Sequence, residues 1–174
     1  MKKLLALVLA LVMTLGLATV GANAAYSDFT DTADVSFEEA MKVMNAVGVF
    51  VGDGNKLDPK GNLTRAQAAK LIAYLALGES VAEALPKTGS KFTDAPDGAW
   101  FTGYVNYMAD AGYTNGTSAT TFDPNGSLTG YQFGAFLLAV LGYDRAAEGM
   151  IGSGWETKVA VALQNNGKIG RAHV

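Results

Sequence analysis

Two kinds of side chain in this chain of 174 residues have the type and spacing for chemistry. One is cationic. Arg65, within Thr64-Arg65-Ala66-Gln67, stands just past the predicted start of a helix. Free backbone N–H groups and the helix dipole favour an anion there, and a guanidinium holds a carboxylate through two parallel bonds. The plainer reading of Arg65 is an exposed cation that pairs loosely with Asp31 or Asp53. The other kind is acidic. Glu38-Glu39 has the look of a hydrolytic carboxylate pair, but adjacent helical positions point apart. Asp53-x-Asn55-x-Leu57 opens like a calcium loop and then lacks the remaining ligands. The chain has no Cys and one His, at position 173. Thiolate nucleophiles, His-based triads and His-ligated metal sites are therefore not expected. No catalysis, metal or cofactor is predicted.

The two ends read differently from the middle. Lys2-Lys3 precedes an apolar run from Leu4 to Val20, and Ala22-x-Ala24 follows. This is the pattern of an export signal over residues 1–24 with cleavage after Ala24 or one residue later. Membrane contact is then expected only during export. At the other end, residues 169–174 (Ile-Gly-Arg-Ala-His-Val) correspond in one frame to a common sequencing adapter. They are expected to be adapter-derived, which would remove the lone His from biological consideration. Without Lys2, Lys3 and Arg171 the rest carries ten basic and sixteen acidic side chains, a net charge of -6. A nucleic-acid partner, which favours basic surfaces, is not expected.

The middle is a repeat with a period near 64 residues. Phe29-Thr30-Asp31 recurs as Phe92-Thr93-Asp94. Leu57-Asp58-Pro59-Lys60-Gly61-Asn62-Leu63-Thr64 recurs as Phe122-Asp123-Pro124-Asn125-Gly126-Ser127-Leu128-Thr129. Met44, Gly48 and Gly52 answer to Met108, Gly112 and Gly116. A third start is visible in Trp155 and Leu163, 55 residues after Trp100 and Met108. Each unit reads as helix, glycine-rich loop, helix. Capping boxes are predicted at Ser36/Glu39, Thr64/Gln67 and Thr129/Gln132. The predicted buried stripes are Phe37, Ala40, Met41, Met44 and Val47, then Ala68, Leu71, Ile72 and Leu75. In the second unit they are Trp100, Phe101, Tyr104, Val105 and Met108, then Phe133, Phe136, Leu137, Val140 and Leu141. A short helical turn is expected near Val81–Leu85. One such helix pair buries too little surface to stand alone, so the units must pack together. The fold class is all-α.

These elements, F-x-D, a helix ending at Gly, a glycine loop and D-P-x-G-x-L-T-R-A-Q, resemble the S-layer homology domain. The resemblance covers residues 26–85 and 92–146, joined by a linker at 86–91, with a partial third copy over 147–168. It implies tandem helix–loop–helix units in an incomplete pseudo-threefold bundle. It also implies non-catalytic capture of a secondary cell-wall polymer, often pyruvylated, that holds an exported protein on the wall. The groove residues it implies are Asp31, Gly52, Asp53, Gly54 and Arg65 in the first unit. In the second they are Asp94, Trp100 and Gly116, within the Asn115-Gly116-Thr117 loop. Trp100 or Tyr131 would stack on a sugar, although helical spacing favours a core Trp100. Gly130 stands where the second unit's Arg should be, so that groove is expected to be weak. Two other readings remain open. One is a structural surface-layer subunit that self-associates with its own kind. The other is the anchor of a secreted polysaccharide or wall hydrolase.

Overall fold

Thr64 and Thr129 start their helices by the same reciprocal cap. The Thr64 hydroxyl accepts the Gln67 N–H at 3.2 Å while the Gln67 side chain accepts the Thr64 N–H at 2.9 Å. Thr129 and Gln132 repeat both bonds at the same two distances. In the computed structural model, which describes residues 24–46, 48–50 and 52–165, these caps open α2 (Arg65–Leu77) and α5 (Gly130–Val140). The others are α1 (Glu38–Ala46), α3 (Glu79–Glu83), α4 (Thr102–Asp110) and α6 (Trp155–Asn165). Six helices and no strand occur among the described residues, so the fold is all-α. The expected export signal and the expected adapter-derived tail lie outside the described residues, as does Val47 of the first stripe.

Two compact units divide the chain, Met1–Pro59 and Lys60–Val174. In the first, Phe29, Val49 and Leu57 are buried and Asn45 donates to the Phe50 carbonyl at 3.0 Å. The capping box expected at Ser36 does not form. Glu39 instead pairs with Lys42 at 3.2 Å, beside a 2.9 Å pair from Glu38 to the same ammonium. The expected α1 stripe is not buried either: Phe37 is 62% exposed, Ala40 is exposed, and Met41 and Met44 are half-buried.

In the second unit α2 packs on α3, α4 and α5, and α5 packs on α6. Ala135, Leu138, Met150, Val159 and Leu163 form one apolar cluster between α5 and α6. The buried face of α5 is Gly134, Ala135, Phe136, Leu138 and Ala139. It is turned by about one residue from the expected stripe, and Leu141 is exposed. Two neighbours, α2 and α6, compete for this helix, so the widest apolar stripe is not the contact face. Gly134 explains how α6 comes so close: a Cβ there would lie 2.6 Å from the Leu163 Cδ1. On α2, Ala68 and Ile72 are buried as expected, while Leu75 is exposed.

The short turn expected at Val81–Leu85 is α3, two residues earlier. It exists to carry Glu83, whose carboxylate accepts from the Tyr74 hydroxyl and pairs with Lys70 at 3.1 Å. Trp100 corrects the core reading. It precedes α4, is 49% exposed, and meets Phe101 edge-on at 5.4 Å between centroids.

Candidate functional site

The F-x-D acids are loop staples. Both oxygens of Asp31 accept the Leu57 N–H, at 2.9 and 3.1 Å, and one accepts the Asp58 N–H at 2.8 Å. Asp94 does the same for Phe122 and Asp123, at 2.7 to 3.2 Å. These bonds, led by the one from Leu57, hold the Asp31 carboxyl below its ordinary pKa of 3.8. The Phe of each motif is buried beneath a left-handed glycine at which a Cβ would crowd its neighbours. At Gly116 (φ +80°) a Cβ would lie 2.4 Å from the Thr121 oxygen and 2.5 Å from Phe92. Gly52 (φ +69°) stands over Phe29 in the same way. Asp53 and Lys56 exchange backbone hydrogen bonds at 2.8 and 3.1 Å, and Gly54 faces open space.

The second loop, so stapled, receives the start of α2. Arg65 N–H donates to the Gly126 carbonyl at 3.0 Å and Ala66 N–H to the Pro124 carbonyl at 2.9 Å. Leu128 N–H donates back to Leu63 at 2.9 Å. The N–H groups at this helix start are thus satisfied by the chain itself, and the expectation that they draw an anion is overturned. Any attraction comes from the guanidinium.

That guanidinium is also not the exposed cation of the plainer reading. Arg65 is only 6% exposed. Its Nε donates to the Phe122 carbonyl at 2.7 Å, and its guanidinium carbon lies 4.7 Å from the Phe122 ring centre and 5.9 Å from that of Phe136. Burial lowers its pKa, Asp123 and Asp94 oppose the shift, and Arg145 adds to it. It stays protonated at neutral pH. No carboxylate pairs with it among the described residues.

Arg65 opens onto a cleft of about 260 Å³. It is lined by Thr114 to Thr117 of the glycine loop, by Gln132, Ala135 and Phe136 of α5, and by Arg145 and Trp155. The site therefore joins the cation of the first repeat to the glycine loop of the second and the aromatic of the third start. Of the residues expected from sequence, Arg65 and Gly116 come together here. Asp94 holds the Phe122 and Asp123 N–H groups instead, and neither it nor Trp100 lines the cleft. Trp155, its counterpart 55 residues on, does. Arg145 was missed because its counterparts at the repeat offsets, Val81 and Ser80, are not cationic. A buried cation, amide and hydroxyl groups and one indole face suit a sugar that carries an acid.

Residues 28–69 and 91–133 match the model of the S-layer homology domain. Three curated relatives resemble the chain. A surface layer protein of Brevibacillus choshinensis is 27% identical over 95% of this chain and 15% of its own length. A cell surface protein of Thermoanaerobacter kivui is 32% identical over 82% and 19%. A middle cell wall protein of Brevibacillus brevis (strain 47) is 29% identical over 86% and 14%. The chain thus spans less than a fifth of each relative's length. No solved structure matches it.

Proposed function

Residues 28–69 and 91–133 belong to the S-layer homology domain family, and from that premise we propose that this chain anchors an exported protein to the cell wall by gripping an acidic wall polymer. The observation that carries the reading is Arg65: a buried guanidinium with no carboxylate partner, opening onto a cleft edged by Trp155, Asn115 and Gln132. A buried charge whose nearest acids, Asp123 and Asp94, act only without direct pairing is costly, and an anionic substituent on a sugar supplies the direct partner. A pyruvate ketal is such a substituent, because it places a carboxylate on an otherwise neutral ring. The relatives' descriptions as surface-layer and wall proteins support the cell surface as the place of action.

The proposed role is binding without chemistry. The acids that could have served as a hydrolytic pair are engaged elsewhere, Glu38 and Glu39 with Lys42. The test is co-sedimentation of the purified protein with isolated cell walls, before and after acid extraction of their secondary polymers. Pelleting with intact walls and release from extracted ones is the expected result. Equal pelleting with both would sink the proposal, and concentration-dependent assembly without any wall would favour the self-associating subunit instead.

A further inference from the structure

Arg145 shares the cleft with Arg65 and no paired acid offsets it. It sits just after α5, in a segment held by the Met150 N–H donating to its carbonyl at 2.7 Å. One terminal nitrogen donates to the Tyr113 carbonyl at 2.9 Å. Its Nε is fully buried and has no hydrogen-bond partner among the described residues. The adjacent Asp144 does not help, because its carboxylate accepts the Ala146 and Ala147 N–H groups at 2.9 and 3.1 Å. Burial lowers the Arg145 pKa as it does that of Arg65.

Buried N–H donors almost always have acceptors, and like charges in one cleft repel. Two guanidinium groups, one with an unspent donor, at a cleft whose walls offer hydroxyl and amide groups, form a receptor with its anion left out. The cleft is smaller than the roughly 300–1,000 Å³ of drug-sized sites. That leaves room for about one sugar residue and its substituent, so the two cations meet one acidic group rather than two.

Resting on the wall-binding reading above, we infer that Arg145 is a second anion-binding residue of this cleft, and that its guanidinium and that of Arg65 together grip a single carboxylate or phosphate carried on a sugar. The two sources share one chemistry, a compact oxyanion with at least two acceptor oxygens. Lys at position 145 would keep the charge and lose the planar guanidinium fork, so charge alone does not substitute.

The experiment follows the Arg Nε–H resonances of the full chain by NMR during titration with three probes. These are methyl glucoside carrying a 4,6-pyruvate ketal, glycerol 1-phosphate, and unmodified methyl glucoside. The Arg145 Nε–H signal is expected to shift with one or both anionic probes and to ignore the neutral one. Which anion moves it identifies the source. R145K is expected to bind the active probe and isolated walls at least tenfold more weakly, with its melting temperature unchanged. R65M combined with R145K should lose no more than about twofold beyond the worse single variant, because both clamp one group. An Arg145 signal unmoved by both anions, or R145K binding like the parent, overturns the inference. If R65M still loses wall binding in that case, the wall-anchoring reading stands. If R65M and R145K both pellet with walls like the parent, both readings fall.

Discussion

Replacing Arg65 with Met separates what the charge does for the fold from what it does for a ligand. The substitution keeps a long, adaptable side chain against Phe122 and Phe136. It deletes the charged hydrogen bond to the Phe122 carbonyl, worth about 1.5–3 kcal/mol, and two ring contacts of about 0.5–2 kcal/mol each. It also removes a buried cation without an ion-pair partner, whose desolvation costs several kcal/mol. The terms nearly cancel, so stability should stay within about 1 kcal/mol of the parent, a melting shift of roughly 2–4 °C. Binding has no such compensation. Truncating one partner of a buried charge pair costs about 2–5 kcal/mol, so wall affinity should fall by at least about 30-fold. Thermal unfolding followed by circular dichroism and a wall-pelleting isotherm on the same preparation read both quantities. A variant that melts like the parent and pellets like it refutes the reasoning. So does one destabilised by more than about 3 kcal/mol, because the charge would then be a structural requirement.

Other expectations follow from the same geometry. Gly116→Ala should cost about 2–5 kcal/mol, from a left-handed residue and from overpacking against Thr121 and Phe92, whereas Gly54→Ala, which meets nothing within 4 Å, should cost only about 1–2 kcal/mol; urea unfolding separates them. The Asp31 carboxyl titrates lower in the folded chain than in the unfolded one, so its contribution is present above the ordinary pKa of 3.8 and is lost as pH falls through the folded value. Asp31→Asn should therefore flatten the acid limb of the stability–pH curve. Tyr104 and Tyr107 are each pushed up to about 12, first by burial and then by Glu83 and Tyr113 respectively. Their contribution is complete below pH 10 and disappears as pH rises through 12, so alkaline unfolding should coincide with the late part of the phenolate absorbance change at 295 nm.

Whatever depends on neighbours in sequence was legible from it. The caps at Thr64 and Thr129 are three-residue devices, and the structure forms both. Ser36 carries the same pattern and forms none, because Lys42 is placed to take Glu39 instead. The stripe on α5 failed because that helix has two partners. Apolar residues at helical spacing mark out one face, while packing between α2 and α6 uses a face between their directions.

The site was half legible for a reason built into repeat proteins. Each repeat, read alone, assigns its cation to its own loop, which puts Arg65 beside Asp53 and leaves the Gly130 repeat without a clamp. The chain instead passes the cation forward. Arg65 lies against Phe122, 57 residues on, and shares a cleft with Gly116. The loop of the second repeat therefore needs no Arg of its own, and the absence at Gly130 bears on whatever loop follows, not on this cleft. Arg145 was invisible to self-comparison for the opposite reason. At the offsets of 64 and 65 that relate the two repeats, its counterparts are Val81 and Ser80, neither of them cationic. A residue that breaks the repeat signals nothing to a search for what recurs. Yet neither cation of this cleft recurs within the chain: α2 supplies Arg65, whose counterpart is Gly130, and the segment after α5 supplies Arg145. On the function proposed above, anchoring and selectivity among acidic polymers would both rest on these two cations, which the repeat does not copy.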